Sequence, residues 1–253
     1  MKGNNKAMSK TVIITGASSG IGMKLAELYQ QDGYKVAVLA RRFTPSITST
    51  LITLACDVTS TESVQAAVNT CMDEWGHIDI AIANAGISLP ASHLEVDMSQ
   101  IKATYEVNLF GAMRLFEAVI PHMKSAGKGH LVSIASLAGF RGAPKAGVYC
   151  SSKAALIAFT ESLRLDLKDC GIAVTLINPG FIKTPLTDQN RFKMPFLLSL
   201  DEGGHSVYQA IQRRRAVFSF PFPMAAFAFL GRLMPAWLYD GIIRRFKNDK
   251  EAI

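Results

Sequence analysis

Thr11–Thr15 (TVIIT) runs straight into residues 16–22 (GASSGIG), after which apolar residues recur at Leu25, Ala26, Leu28 and Tyr29 until Gly33. The β-branched run is of strand type. The recurrence that follows has helical spacing, with glycine as its stop. A strand, a glycine turn and a helix in that order leave free N–H groups and the positive end of a helix dipole facing one spot, which suits a diphosphate. The spacing G-x-x-x-G-x-G differs from the longer-known G-x-G-x-x-G, but the demands are similar: a tight turn, close backbone approach to phosphate and close helix packing. The plainer reading is a glycine turn that serves only the fold.

The alternation continues along the chain. Residues 34–40 (YKVAVLA) and 51–55 (LITLA) read as strands, followed by a helix over about 60–75. Next come a strand at 78–83, a helix over about 99–124, a strand at 130–135, a helix holding Tyr149 and Lys153, and a strand at 172–177. Apolar runs without polar alternation suit parallel strands covered on both faces. Alternating strands and helices predict an α/β fold, a doubly wound parallel sheet with right-handed crossovers. Ligands in such sheets sit beyond the carboxyl ends of the strands. Polar and glycine residues gather at those ends: Gly16 to Gly22, Arg41 and Arg42, Asp57, Asn84 to Gly86, Ser136, and Asn178 to Gly180. Six such clusters at one sheet edge point to a ligand rather than to punctuation.

Tyr149 and Lys153 stand four residues apart on a predicted helix, so they share a face. A cation beside a phenol favours phenolate; a free tyrosine has a pKa of about 10, and a cationic surrounding predicts a lower one. Y-x-x-x-K alone is weak, since any amphipathic helix can carry it by accident. Ser136 ends the preceding strand and Ser133 lies inside it, which favours Ser136 as the partner hydroxyl.

The chain resembles the short-chain dehydrogenase/reductase family over about residues 10–184. The resemblance rests on TGASSGIG, CDV, ANAG, VNLFG, SIAS, YCSSK and NPGFIKT, which occur in the expected order. It implies a Rossmann fold and a hydride-transferring activity between a carbonyl and an alcohol. It further implies that Gly16, Ser18, Ser19, Gly20, Ile21 and Gly22 form the diphosphate turn, and that Asp57 and Val58 meet the adenine. Asn84, Ala85 and Gly86 would support the adenosine side, and Pro179, Gly180, Ile182 and Thr184 would add further cofactor contacts. The catalytic four would be Asn108, Ser136, Tyr149 and Lys153, with Lys153 also bonding the nicotinamide ribose beside Tyr149. Ser136 and Tyr149 would bond the substrate carbonyl, Tyr149 would give its proton to the developing alkoxide, and Asn108 would hold a water in the relay to Lys153. Taken alone, Asn108 is a kink or surface residue.

Cofactor choice turns on the end of the second strand. No acid follows Arg41 and Arg42 until Asp57, and a guanidinium suits a 2′-phosphate, so NADPH is favoured over NADH, with Arg41 first and Arg42 next. Two solvated arginines beside a loop are the alternative. Only residues 43–50 separate them from the next strand, and Pro45 interrupts these, so the usual helix is expected to be shortened or lost. A non-catalytic dinucleotide-binding sensor or scaffold is the other class of function, and the intact four argue against it.

At 253 residues and 49% hydrophobic content, the chain fits one domain with a single large core. Its four cysteines show no metal-ligand spacing and no disulfide framework, so no metal is expected and a reducing cytoplasm is. Residues 1–10 are polar and basic, unlike a secretory signal. Residues 185–215 stand where a substrate lid is expected, and Phe192, Phe196 and Leu197 suggest a medium or large apolar carbonyl substrate. Residues 216–253 read as a last strand and two helices. Of the net charge of +7, residues 190–253 supply +5, from ten Lys/Arg against five Asp/Glu. Pro221, Pro223, Arg232 and Pro235 disfavour a transmembrane helix. A basic amphipathic pair on an anionic membrane is the second reading, and a lid or subunit contact is preferred. Nucleic acid fits poorly, for want of a binding module. The helix after Lys153, apolar on more than one side, predicts a homodimer or homotetramer.

Overall fold

The computed structural model describes residues 9–89, 97–190 and 192–251, and of residues 244–251 only the helical backbone. The expectation for residues 1–8, and that of a basic amphipathic face as far as it rests on the side chains of residues 244–253, therefore lie outside the described residues. The strands are β1 (Thr11–Thr15), β2 (Lys35–Ala40), β3 (Ser46–Ile47), β4 (Leu51–Ala55), β5 (Ile80–Ala83), β6 (Gly129–Ile134), β7 (Ile172–Pro179) and β8 (Val217–Phe220). They form one sheet in the order β3-β4-β2-β1-β5-β6-β7-β8. Every pairing is parallel except the short antiparallel edge of β3 on β4. The fold is thus the expected α/β doubly wound sheet, and its order reverses at β1, flanked by β2 and β5. A crevice opens at such a switch point, beyond the carboxyl ends of the strands.

The helices are α1 (Gly20–Gln31), α2 (Thr61–Trp75), α3 (Met98–Tyr105), α4 (Gly111–Ser125), α5 (Gly147–Asp166), α6 (Leu200–Gln212), α7 (Phe222–Leu233) and α8 (Ala236–Glu251). Each face of the sheet carries its own core. Ile13, Leu39, Ile52 and Leu131 pack with residues of α2, α4 and α5 on one side, including Val68, Phe116 and Leu156. Val12, Ile14, Val36 and Ile177 pack with α1 and α6 on the other, including Leu25 and Val207. Strands buried on both faces explain why their sequences do not alternate.

Three features depart from or sharpen the sequence reading. Residues 41–50 hold only β3, so the helix usual in that crossover is absent here, as the Pro45 interruption predicts. The helix expected over 99–124 is widened by a π turn at Glu106–Phe110 between α3 and α4. Within residues 185–215, expected as a lid, α6 begins at Leu200 with a Ser199/Glu202 capping box and buries Gly203, Gly204, Val207, Ala210 and Ile211 in the core. Glycine there permits close contact, since a Cβ on Gly203 would lie 2.6 Å from Ile182 Cδ1. Among the described residues no helix is long and apolar enough to cross a membrane.

Candidate active site

A cavity of about 650 Å³ opens at the carboxyl edge, lined in part by Gly16, Arg41, Asp57, Asn84, Ser136 and Tyr149. All six clusters expected at strand ends contribute residues to this edge, because parallel strands present the same end to the same side. Gly16 adopts a left-handed φ of +66°, and a Cβ there would lie 2.6 Å from Ala85 Cα. The turn is fixed from β5. Asn84 Nδ2 donates to the carbonyls of Thr15 and Gly16 at 3.0 Å, and Thr15 Oγ1 accepts from the N–H groups of Asn84 and Ala85 at 3.1 and 3.2 Å. A Cβ on Gly22 would strike the same Asn84 amide at 2.4 Å. Ser18 and Ser19 are exposed beside the cavity, and Ser19 makes no side-chain cap on α1. The first-turn N–H groups of α1 therefore suit the phosphates of a dinucleotide. Gly20 and Ile21 line the same turn, and Gly20 lies against Thr184.

Arg41 and Arg42 are exposed at the far end of the cavity, beside Asp57 and Val58, which follow the adjacent strand β4. The Asp57 carboxylate accepts from the Thr59 N–H at 2.9 Å and hydroxyl at 2.8 Å. The Thr59 N–H chiefly, with Arg41 and Arg114 farther off, holds its carboxyl below the usual value. Val58 presses on α4 at Gly111, where a Cβ would lie 2.9 Å away, and its carbonyl accepts from Arg114 at 3.2 Å. Arg114 is in turn paired with Glu106 at 2.8 Å.

At the other end, β6 delivers Ser136 and α5 delivers Tyr149 and Lys153. Lys153 is buried, and its Nζ donates to the Ile134 carbonyl at 2.9 Å and lies 5.9 Å from the Tyr149 ring centroid. Burial pushes the Lys153 ammonium down to about 8. The same burial pushes the Tyr149 phenol up to about 12, with its hydrogen bond to Ser136 pulling the other way. The expected depression of the phenol by Lys153 is therefore corrected: desolvation favours the neutral form of each group, and the ammonium is bonded to backbone. Ser136 Oγ also accepts from the Ala138 N–H at 3.1 Å. Ser133 is excluded, fully buried and bonded by Thr160 at 2.8 Å.

Asn108 sits inside the π turn, buried, with its side chain fully engaged. Oδ1 accepts from the Ile87 N–H at 2.8 Å, while Nδ2 donates to the Ile87 carbonyl at 2.9 Å and to Ser152 Oγ at 3.0 Å. It ties the segment after β5 to α5, and a Cβ on Gly86 would lie 3.5 Å from both Asn108 Oδ1 and Lys153 Nζ. Pro179, Gly180, Ile182 and Thr184 line the remaining wall, though the Ile182 side chain belongs to the core. The sequence reading takes Thr15 and Gly111 only within TVIIT, TGASSGIG and VNLFG, and gives no part to Arg114, Thr187 and Gln189. Thr187 Oγ1 donates to the Ile182 carbonyl at 2.7 Å and Gln189 lines the cavity. Nothing but their place after NPGFIKT could have marked the last two.

The family model described as short chain dehydrogenase matches residues 10–194. The chain belongs to the short chain dehydrogenase family. An oxidoreductase of Myxococcus xanthus is 34% identical over 248 residues, covering 94% of this chain and 98% of its own. The solved structure of ElxO with NADP bound is similar with a TM-score of 0.76 at 26% identity, covering 84% of this chain and 97% of its own. A 3-ketoacyl-(acyl-carrier-protein) reductase from Brucella melitensis, complexed with NADH, gives 0.76 at 26% identity over 83% of this chain and 96% of its own. As a short chain dehydrogenase this protein is an oxidoreductase acting on carbonyl and alcohol groups. The glycine turn and its uncapped helix fit a nicotinamide dinucleotide.

Proposed function

We propose that the protein is an NADP(H)-dependent oxidoreductase that interconverts a ketone or aldehyde with its alcohol, on a medium-to-large apolar substrate, with Tyr149 as acid and base. The observation that carries this reading is the single cavity with Ser136, Tyr149 and Lys153 at one end and Arg41 and Arg42 at the other. The cofactor, when bound, supplies or accepts the hydride. Gly16, Ser18, Ser19, Gly20, Ile21 and Gly22 would hold its diphosphate, Asp57 and Val58 its adenine, and Arg41, seconded by Arg42, its 2′-phosphate.

In the reductive direction Ser136 and the protonated Tyr149 donate to the carbonyl oxygen, and Tyr149 passes its proton as charge develops there. A phenol raised by burial is a secure donor. Lys153, charged below about pH 8, opposes the cost of the phenolate left behind. Asn108 fixes the walls on which Lys153 and Gly86 meet, and we assign it a positioning part. Ile87, Val107 and Leu186 on the cavity wall support an apolar substrate. Exposed Ala154, Ala158 and Leu165 on α5 support a homodimer or homotetramer, and four free cysteines support a cytoplasmic setting.

The test is NADPH absorbance with a panel of aldehydes and ketones of increasing apolar size. Oxidation of NADPH rising with substrate size is expected; tight NADPH binding without turnover of any member would favour a sensor instead.

A further inference from the structure

α7 carries its apolar face outward. Phe222, Phe229, Leu230 and Leu233 recur at i, i+7, i+8 and i+11 and so share one stripe, with the smaller Ala226 between them at i+4. Phe222 is 81% exposed, Phe229 55%, Leu230 56% and Leu233 66%, and Trp237 at the start of α8 is 75% exposed. The opposite face is fastened to the active site. Met224 Sδ would lie 2.6 Å from a Cβ on Gly180, a cavity-lining residue. Arg141, in the loop after Ser136, donates to the carbonyls of Gly231 and Met234, the latter at 2.7 Å, and lies 4.0 Å from the Tyr239 ring centroid. The Tyr239 hydroxyl donates to the Gly142 carbonyl at 2.8 Å. Turning the stripe inward would break this latch, so the inner face serves the site and the stripe stays outward.

An outward stripe of this kind fits an apolar surface, and charge selects which. α7 has no acidic residue and one cation, Arg232. Residues 222–251, which hold it, carry five Lys/Arg against three Asp/Glu, a net +2 within a chain of +7. A two-fold contact with a second copy sets that positive charge against itself, whereas an anionic bilayer complements it. An indole beside the stripe also suits the level of lipid headgroups.

We propose that the α7 stripe, with Trp237, docks the protein on an anionic bilayer surface, with the Gly180 side of the cavity next to the lipid. The docking does not rest on the activity proposed above, and the two are read separately. The full chain is mixed with phosphatidylcholine vesicles containing about one-third phosphatidylglycerol, and with pure phosphatidylcholine vesicles, then floated on a density gradient. Co-flotation with the anionic vesicles is expected, weakening about tenfold as salt rises from low to physiological ionic strength and the Debye length shortens. Trp237 emission should shift to the blue on binding. Phe229→Glu with Leu233→Glu should abolish flotation while the melting temperature and sedimentation mass stay as in wild type; both side chains are exposed, so folding should survive. No flotation of wild type with anionic vesicles at low salt would overturn the proposal. A fall in sedimentation mass in the double variant would also overturn it, by assigning the stripe to a second copy.

Discussion

Gly16→Ala tests the phosphate turn at the point where its geometry is most demanding. An L side chain at φ +66° costs about 1–2 kcal/mol from the left-handed conformation alone. Its Cβ would also lie 2.6 Å from Ala85 Cα, a backbone atom held by the hydrogen bond from the Ala85 N–H to Thr15 Oγ1. Forcing such an overlap apart adds about 1–3 kcal/mol, for a total of about 2–5 kcal/mol. Gly33 separates the two contributions. It has a similar φ of +77° but nothing within 4 Å of its Cβ position, so Gly33→Ala should lose only about 1–2 kcal/mol. The assay is urea unfolding of both variants at one chain concentration, followed by NADPH titration. Gly16→Ala should lose more stability than Gly33→Ala and bind NADPH at least about tenfold more weakly, because β1 and β5 must part where the diphosphate sits. Equal losses of stability, or wild-type NADPH affinity in Gly16→Ala, would refute the reasoning.

Arg41→Ala should weaken NADPH about tenfold and leave NADH unchanged, since only the former carries the 2′-phosphate; isothermal titration with both cofactors checks it. Ketone reduction should hold steady at lower pH and fall as pH rises through about 8, where the depressed Lys153 gives up its charge while Tyr149 keeps its proton; initial rates across pH read this. Asn108→Ala should cost about 2–4 kcal/mol in urea unfolding, because it strips partners from the Ile87 backbone and from buried Ser152.

Most of the sheet and the cavity lining was legible because both depend on local signals. Unbroken apolar runs marked β1, β2, β6 and β7, and parallel topology then carried their terminal residues to one edge without further information. The short β3 crossover was readable from Pro45. What was not legible depends on partners distant in sequence. The π turn arises where Asn108 reaches Ile87 and Ser152, and neither neighbour leaves a mark on the local pattern. α6 was hidden in the expected lid because Gly203 and Gly204 look like loop residues until Ile182 and Lys24 are seen packed against them. Arg141 caps the end of α7 some ninety residues on, a contact no spacing rule predicts. The phenol shift was misjudged for a related reason: helical spacing gives the closeness of Lys153 to Tyr149, but burial of both decides the sign.

Tyr149→Phe tests the central claim most directly, through NADPH turnover and NADPH affinity measured on the same preparation. The ring still packs and only the proton donor is lost. Turnover should fall about 10²–10⁴-fold, the usual range for a general acid, while NADPH affinity stays near wild type. A variant that keeps more than about a tenth of the wild-type rate would contradict the assignment of Tyr149 as the acid.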